Sequence, residues 1–237
     1  MKRRTVLLTG ATGYIASHTW LTLLSAGYAV VGVDDFSNSS PSVLERVEHL
    51  AGSEPVFERA DVCDNTTLQR LFRAHVPDAV IHFAARKAVG ESVATPLVYY
   101  SNNLGALFSV CQAMQASGCQ RLVFSSSATV YGVPERLPIA EDDPLFATNP
   151  YGQTKLMGET MLRDLVASDD RWKVATLRYF NPVGAHESGL IGEDPRGTPN
   201  NLRPYVAQVA VGRRAHLQVY GNDYDTVDGT GVRDYIH

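Results

Sequence analysis

Thr5-Val6-Leu7-Leu8-Thr9-Gly10-Ala11-Thr12-Gly13-Tyr14-Ile15-Ala16 decides how the rest of the chain is read. Thr5 to Thr9 is a short apolar run of β formers that stops at a glycine turn. From Ile15 to Leu24 the apolar residues recur at helical spacing, and Gly27 closes that helix. Ala29-Val30-Val31-Gly32-Val33 then reads as a buried parallel strand ending on Asp34-Asp35. A strand, a glycine turn, a helix, a second strand and a terminal acid form the setting in which a glycine pattern binds a dinucleotide. Gly10 permits the tight turn, and Gly13 lets backbone amides approach a pyrophosphate at the helix N-terminus. Ala16 takes the third small position and still allows close helix–strand packing. Asp34 lies 21 residues after Gly13. It is placed to accept hydrogen bonds from an adenosine ribose and to repel a 2′-phosphate, with no compensating cation, so the cofactor expected is NAD.

The alternation continues along the chain. Ser40-Pro41 caps a helix through Leu50, and Val56 to Ala60 is a strand that ends at Asp61-Val62. A helix from Thr66 to His75 and the turn Pro77-Asp78 lead into a strand from Ala79 to Ala84. Pro96 opens a long helix to Ser117, closed by Gly118. Asn102 and Asn103 lie inside it although asparagine is a mediocre helix former, so one of them is a candidate to face the cofactor. Arg121 to Ser125 is the fifth strand, ending in Ser125-Ser126-Ser127-Ala128-Thr129. Hydroxyls at the carboxyl end of a central parallel strand point into the crevice where ligands bind. Gly132 to Thr148 reads as a surface loop, and Val174 to Tyr179 as a sixth strand. Such alternation gives an α/β fold, a doubly wound parallel sheet of Rossmann type with right-handed crossovers. From Asn181 to Asn201 the regularity is lost. A helix from Leu202 to Gly212, a strand over Leu217 to Tyr220, a turn at Asp228-Gly229 and a β-like stretch from Val232 to Ile236 follow. The expected division is a dinucleotide-binding domain over 1–180 and an incomplete, smaller substrate-binding lobe over 181–237.

A second stretch carries reactive groups: Asn149-Pro150-Tyr151-Gly152-Gln153-Thr154-Lys155. Asn149 is a good N-cap, and Pro150 fits the first helical position, whose amide has no partner anyway. The helix puts Tyr151 and Lys155 at i and i+4 on one face. A cation one turn away favours the phenolate and is expected to lower the phenol pKa from ~10 by roughly 1–3 units, making a base for an alcohol proton. With eleven tyrosines and four lysines in the chain, chance gives roughly 0.2 such pairs, so the pair matters because a dinucleotide fingerprint accompanies it.

Composition narrows the remaining classes. Hydrophobic residues make up 44% and charged residues 19% of the 237 residues, an ordinary globular balance. A net charge of −4 with no basic block argues against a nucleic-acid partner. The apolar run after Met1-Lys2-Arg3-Arg4 stops within a few residues, too short for a signal peptide, and no run approaches the ~18 residues of a membrane span. Cys63, Cys111 and Cys119 are odd in number and irregularly spaced, which fits free thiols in a reducing cytoplasm. The histidines lack metal-ligand spacing, and no metal site is expected.

Thr9 through His18 resembles the opening of the extended short-chain dehydrogenases that act on nucleotide sugars. Five further stretches look like the nucleotide-sugar 4-epimerases of that family: His82 through Ser92, Phe124 through Gly132, Tyr151 through Lys155, Arg178 through His186 and Gly231 through His237. The resemblance implies that Tyr151 is the proton acceptor, that Lys155 holds the nicotinamide ribose and polarises the phenol, and that Ser127 bridges the sugar 4-hydroxyl and the tyrosine. It places NAD contacts on Gly10, Gly13, Tyr14, Ile15, Asp34, Asp35, Phe36, Ser37, Asn38, Ser39, Asp61, Val62, Phe83, Ala84, Ala85, Lys87, Asn102, Tyr151, Lys155 and Phe180. Substrate contacts fall on Ser127, Tyr151, Asn181, Asn201, Leu202, Tyr220 and Arg233, where Arg offers a donor fork to phosphate oxygens. The implied reaction interconverts UDP-galactose and UDP-glucose through a 4-keto sugar, by reversible hydride transfer to bound NAD in a protein that is a homodimer when full length. Two alternatives stay open: a 4,6-dehydratase, although Ala128-Thr129 follow Ser127 where an acid pair is required, and an NAD-binding module without turnover. Family chains run past Arg233-Asp234-Tyr235-Ile236-His237, and for that reason the second lobe is read as incomplete.

Overall fold

The computed structural model describes residues 3–219 and 221–237. The chain divides into two compact units, Met1–Tyr179 and Phe180–His237.

The first unit holds strands β1 (Thr5–Thr9), β2 (Ala29–Asp34), β3 (Val56–Arg59), β4 (Ala79–His82), β5 (Arg121–Ser127) and β6 (Lys173–Tyr179). They form one sheet in the order β3-β2-β1-β4-β5-β6, every neighbouring pair parallel. The direction reverses between β1 and β4, so the loops leaving those two strands diverge and open a crevice at the carboxyl edge. Helices α1 (Tyr14–Ser25) and α2 (Ser42–Ala51) lie side by side, and α3 (Asn65–His75), α5 (Pro96–Ser117) and α6 (Pro150–Ser168) form a second row, with the short α4 (Val89–Ala94) against α5 and α6.

Residue type explains how these layers close. Leu7, Val33, Val80, Leu122 and Phe124 project from alternate strand positions into one core with Leu68, Leu71 and Phe72 of α3, Leu107, Val110 and Met114 of α5, and Leu162 of α6. Trp20 of α1 is fully buried against β2 at Gly32, where any side chain would collide with the indole. The glycine inside that strand therefore exists to admit the tryptophan.

Several boundaries differ from the sequence reading, each for a physical reason. β4 stops at His82 rather than Ala84, because beyond it Ala84 N–H bonds the Thr9 hydroxyl (3.4 Å) and Arg86 N–H bonds Asn103 Oδ1 (2.8 Å). Side chains thus replace the strand ladder there. β5 runs two residues further, to Ser127, because β6 pairs with it through Ser127–Tyr179. α4 is absent from the sequence reading; it is six residues long with no side-chain cap, so it leaves little periodicity to read. Asp64 caps α3 by accepting from Thr66 and Thr67 amides, a start one residue before the expected one.

The second unit contains α7 (Leu202–Ala210) and two short parallel strands, β7 (Asn181–Pro182) and β8 (Tyr235–Ile236). α7 ends two residues before Gly212. The strand expected over Leu217 to Tyr220 is not formed by the three described residues 217–219, and Tyr220 lies outside the described residues. Leu217 and Val219 are exposed and no described strand pairs with them, so apolar character alone did not make a ladder. Among the described residues no helix is long and apolar enough to cross a membrane, and no group of His, Cys, Asp and Glu could hold a metal ion.

Candidate active site

The glycine turn forms a cradle that backbone geometry reserves for a ligand. Gly10 has φ +65°, and a Cβ there would stand 2.8 Å from Ala84 N, so glycine is needed for both conformation and space. Gly13 N–H bonds Gly10 O at 3.0 Å and closes the turn. Gly13 is also the N-cap of α1 and has no side chain to spend on the first-turn amides of Tyr14 and Ile15. Helix amides and the positive end of the helix dipole are thus presented as an anion site at the carboxyl edge of the sheet.

Asp34 orders the neighbouring loop. Its Oδ2 accepts from Thr12 N–H (3.1 Å), and its Oδ1 from Phe36 N–H (2.8 Å) and the Ser39 hydroxyl (3.2 Å). These bonds hold Phe36 at φ +61°, and Asp35 supports the same turn by accepting from Ser37 N–H at 2.8 Å. Ser37 and Asn38 are exposed. The sequence reading places no cation opposite Asp34, but Arg59 is its register partner on β3 and lies 5.7 Å from the Phe36 ring centre. Cofactor choice here is a balance between a fixed carboxylate and a nearby guanidinium. Asp61 is exposed and accepts from Cys63 N–H at 2.8 Å, beside the buried Val62.

On the other side of the crevice, Phe83, Ala84 and Ala85 are half-buried while Lys87 is exposed. This segment is held by Asn103, which accepts from Arg86 N–H (2.8 Å) and donates to Arg86 O (3.0 Å) and the Thr154 hydroxyl (3.0 Å). The two asparagines therefore differ: buried Asn103 ties the loop to α6, and Asn102 remains half-buried beside it, donating to Asn103 Oδ1 at 3.0 Å. Sequence reasoning does not single out Asn103 as a distinct element of the site; its position within a helix was the signal.

The reactive groups stand on β5 and α6. Asn149 caps α6 by accepting from Gly152 N–H at 2.8 Å, and Pro150 takes the first helical position. Lys155, only 4% exposed, donates from Nζ to Ser125 O at 2.7 Å and lies 5.1 Å from the Phe124 ring centre and 5.9 Å from that of Tyr151. Burial pulls its pKa down to about 8. The hydroxyl of Tyr151 is hydrogen-bonded to Ser127. Ser127 Oγ accepts from Thr129 N–H (3.2 Å) and the Thr129 hydroxyl (3.0 Å). Both Ser127 lone pairs are then occupied, which leaves its own proton to be donated to Tyr151 Oη.

One expectation is corrected here. The lysine was expected to lower the Tyr151 pKa, yet burial raises it above the usual phenol value, and only the Ser127 hydrogen bond opposes that rise. Burial is the cause, and Lys155 directs its ammonium at the Ser125 carbonyl, with Nζ 5.9 Å from the Tyr151 ring centre. Behind Lys155, His82 stacks on Phe124 with ring centres 6.1 Å apart and bonds the Thr9 hydroxyl through Nδ1 at 2.8 Å. Burial, with the Lys155 charge second, pushes the His82 pKa down to about 3, so this ring is neutral.

In the second unit, Asn181 donates through Nδ2 to Asp234 O at 2.8 Å, so it sits beside the 233–236 segment that carries exposed Arg233. Asn201 and Leu202 stand at the start of α7, with Asn201 donating to Glu193, and Phe180 is half-buried.

Comparison with known proteins identifies the family of the chain. Residues 6–237 match the NAD dependent epimerase/dehydratase family. The UDP-glucose 4-epimerase of Bacillus subtilis (strain 168) is 60% identical over 232 residues, covering 98% of this chain and 68% of that protein. The UDP-glucose 4-epimerase of Homo sapiens is 56% identical, covering 98% of this chain and 69% of the human one. A crystal structure of the Bifidobacterium longum UDP-glucose 4-epimerase in complex with NAD+ and UDP superposes with a TM-score of 0.96 at 55% identity, over 98% of this chain and 70% of that one.

Proposed function

The chain belongs to the NAD dependent epimerase/dehydratase family, and from that membership we propose that it is a UDP-glucose 4-epimerase, an isomerase that interconverts UDP-galactose and UDP-glucose. The observation that carries the reading is the Ser127–Tyr151–Lys155 group, with Ser127 and Lys155 buried and Tyr151 half-buried, at the edge of the sheet that also bears the glycine cradle. The cradle fits a dinucleotide: Gly10 admits no Cβ, the first turn of α1 faces the anion position, and Asp34 closes the far side. Bound there, NAD supplies a reversible acceptor for the hydride of sugar C4, so the alcohol passes through a ketone and back.

The chain's own residues handle the proton and the orientation. Tyr151 Oη takes the 4-hydroxyl proton in one direction and returns it in the other. Ser127 donates to that oxygen and steadies the phenolate. Lys155 uses one of its three N–H donors on Ser125 O, leaving two for the ribose hydroxyls. Because burial favours the neutral phenol, Tyr151 rests as an acid and becomes a base only when positive charge is added to the crevice. Ala128 and Thr129 follow Ser127, so the acid pair an eliminating dehydratase uses is not next to it, and this supports epimerisation over dehydration.

In this reading, residues 1–180 bind NAD, and 181–237 supply part of the substrate lobe. Asn181, Asn201, Leu202, Tyr220 and Arg233 contact the uridine diphosphate there. The whole protein is read as a cytoplasmic homodimer that binds no nucleic acid. Exposed Leu97, Val98 and Phe108 on α5 support the pairing, three unpaired thiols the compartment, and the net charge of −4 the absence of nucleic acid. The test is to incubate the purified protein with UDP-galactose and to separate the products. UDP-glucose, formed without net reduction of added NAD, supports the reading, and a 4-keto-6-deoxy product supports the dehydratase instead.

A further inference from the structure

Three consecutive residues at the end of β5 each meet one residue of α6. Ser127 bonds the Tyr151 hydroxyl, the Ser125 carbonyl accepts from Lys155 Nζ at 2.7 Å, and the Ser126 hydroxyl donates to Glu159 Oε1. Tyr151, Lys155 and Glu159 are spaced i, i+4 and i+8, one face of the helix at about 6 Å per step. The first two contacts belong to the reaction just described, but the third has no role in it.

Glu159 is only 5% exposed, an unusual place for a carboxylate unless it is paired. Its second partner is Arg178 of β6, which donates from Nε to Oε1 (3.1 Å) and from Nη2 to Oε2 (2.8 Å). Ser126 and Arg178 are register partners on adjacent strands, so one carboxylate grips both at the level of the reacting serine. Arg178 then reaches outward: Nη1 donates to the Tyr131 hydroxyl (2.8 Å) and to Glu141 O (2.9 Å), and the guanidinium lies 4.9 Å from the Tyr131 ring centre. The turn after Ser127 and the loop beyond it are thereby tied to the same point.

We propose that Glu159 is a positioning residue of the epimerisation: through Ser126 and Arg178 it fixes the depth of α6 against β5, and so the fit of Ser127 to Tyr151. A buried ion pair is weak evidence for added stability, since desolvation opposes the attraction. Its directional bonds to two strands, by contrast, set a register that apolar packing leaves free to slide. A misplacement of about 1 Å at a reacting group can cost about 10²-fold in rate.

The proposal rests on the epimerase reading, so wild-type turnover of UDP-galactose is measured first; an inactive wild-type protein counts against that reading itself. In active protein, Ser126→Ala deletes one bond and leaves the Glu159–Arg178 pair intact. The expected result is a kcat about 10-fold lower, with KM within twofold of wild type and an unchanged melting temperature. Ser126→Thr, which restores the hydroxyl, should recover kcat to within threefold. Glu159→Gln combined with Arg178→Met removes both charges together and should lower kcat at least as far in protein that still binds NAD. Unchanged kcat in Ser126→Ala, or a loss that tracks thermal stability and that threonine does not relieve, overturns the positioning role.

Discussion

At the scale of single residues, Tyr151 and Asp34 each hold a state set by their surroundings. Burial keeps Tyr151 a neutral phenol, and Ser127 alone opposes that effect. Replacing Tyr151 by Phe removes the group proposed to move the proton without emptying the glycine cradle. Turnover of UDP-galactose should fall by roughly 10²-fold or more while the protein keeps its NAD, measured as nucleotide released on denaturation. Near-normal turnover would take Tyr151 out of the proton's path. Asp34 accepts three hydrogen bonds from Thr12, Phe36 and Ser39, with Arg59 beside it in register. Asp34→Ser should therefore both loosen the loop and uncover that guanidinium. Affinity for NAD should fall and the preference for NAD over NADP should shrink by about tenfold, read by titrating cofactor-free protein with each nucleotide. An unchanged ratio would show that Asp34 does not face the ribose 2′ position.

At the scale of elements, strand order and helix spacing are legible because they depend on local pattern. Gly10, Gly13 and Asp34 announce the β1–α1–β2 unit, and Asn149-Pro150 announces α6. What the chain does not reveal depends on contacts between elements. Nothing near Tyr151 in sequence tells how deeply α6 is buried, so the direction of its pKa shift is not readable there. Glu159, two helical turns beyond Tyr151, is visible as spacing only, because its partners Ser126 and Arg178 come from two separate strands. The short α4 and the 217–219 stretch, which forms no described strand, escape for the same cause: local propensity does not supply a strand or helix neighbour.

The buried row Thr9, His82, Phe124 and Lys155, which joins β1, β4, β5 and α6, gives a pH signature. His82 stays neutral in the fold down to about pH 3, while in the unfolded chain it takes a proton near its ordinary value of 6.5. Between those values the unfolded state binds more protons, so stability falls as pH falls, by up to about 1.4 kcal/mol per pH unit. Lys155 acts in another window: with its folded pKa down to about 8 from 10.5, it adds stability as pH rises between those two values. Urea unfolding at pH 7 and pH 5 should show a smaller loss for His82→Asn than for wild type, and equal losses would mean His82 is not the group that titrates.

At the scale of the whole molecule, one parallel sheet gathers a cofactor cradle and, at its carboxyl edge, the tyrosine proposed to move the proton, and the second unit carries residues proposed to contact the uridine diphosphate. The chain spans 68–70% of the relatives described, and within that span both halves of the proposed chemistry are represented. In the proposed reaction, hydride leaves and returns to one carbon while Tyr151 manages the proton of the attached oxygen. UDP-galactose carrying deuterium at C4 tests it most directly, with the product examined by NMR and mass spectrometry after turnover in ordinary water. The expected product is UDP-glucose that retains the deuterium at C4. Loss of the label to solvent, or its appearance at C6 of a deoxy sugar, would contradict it.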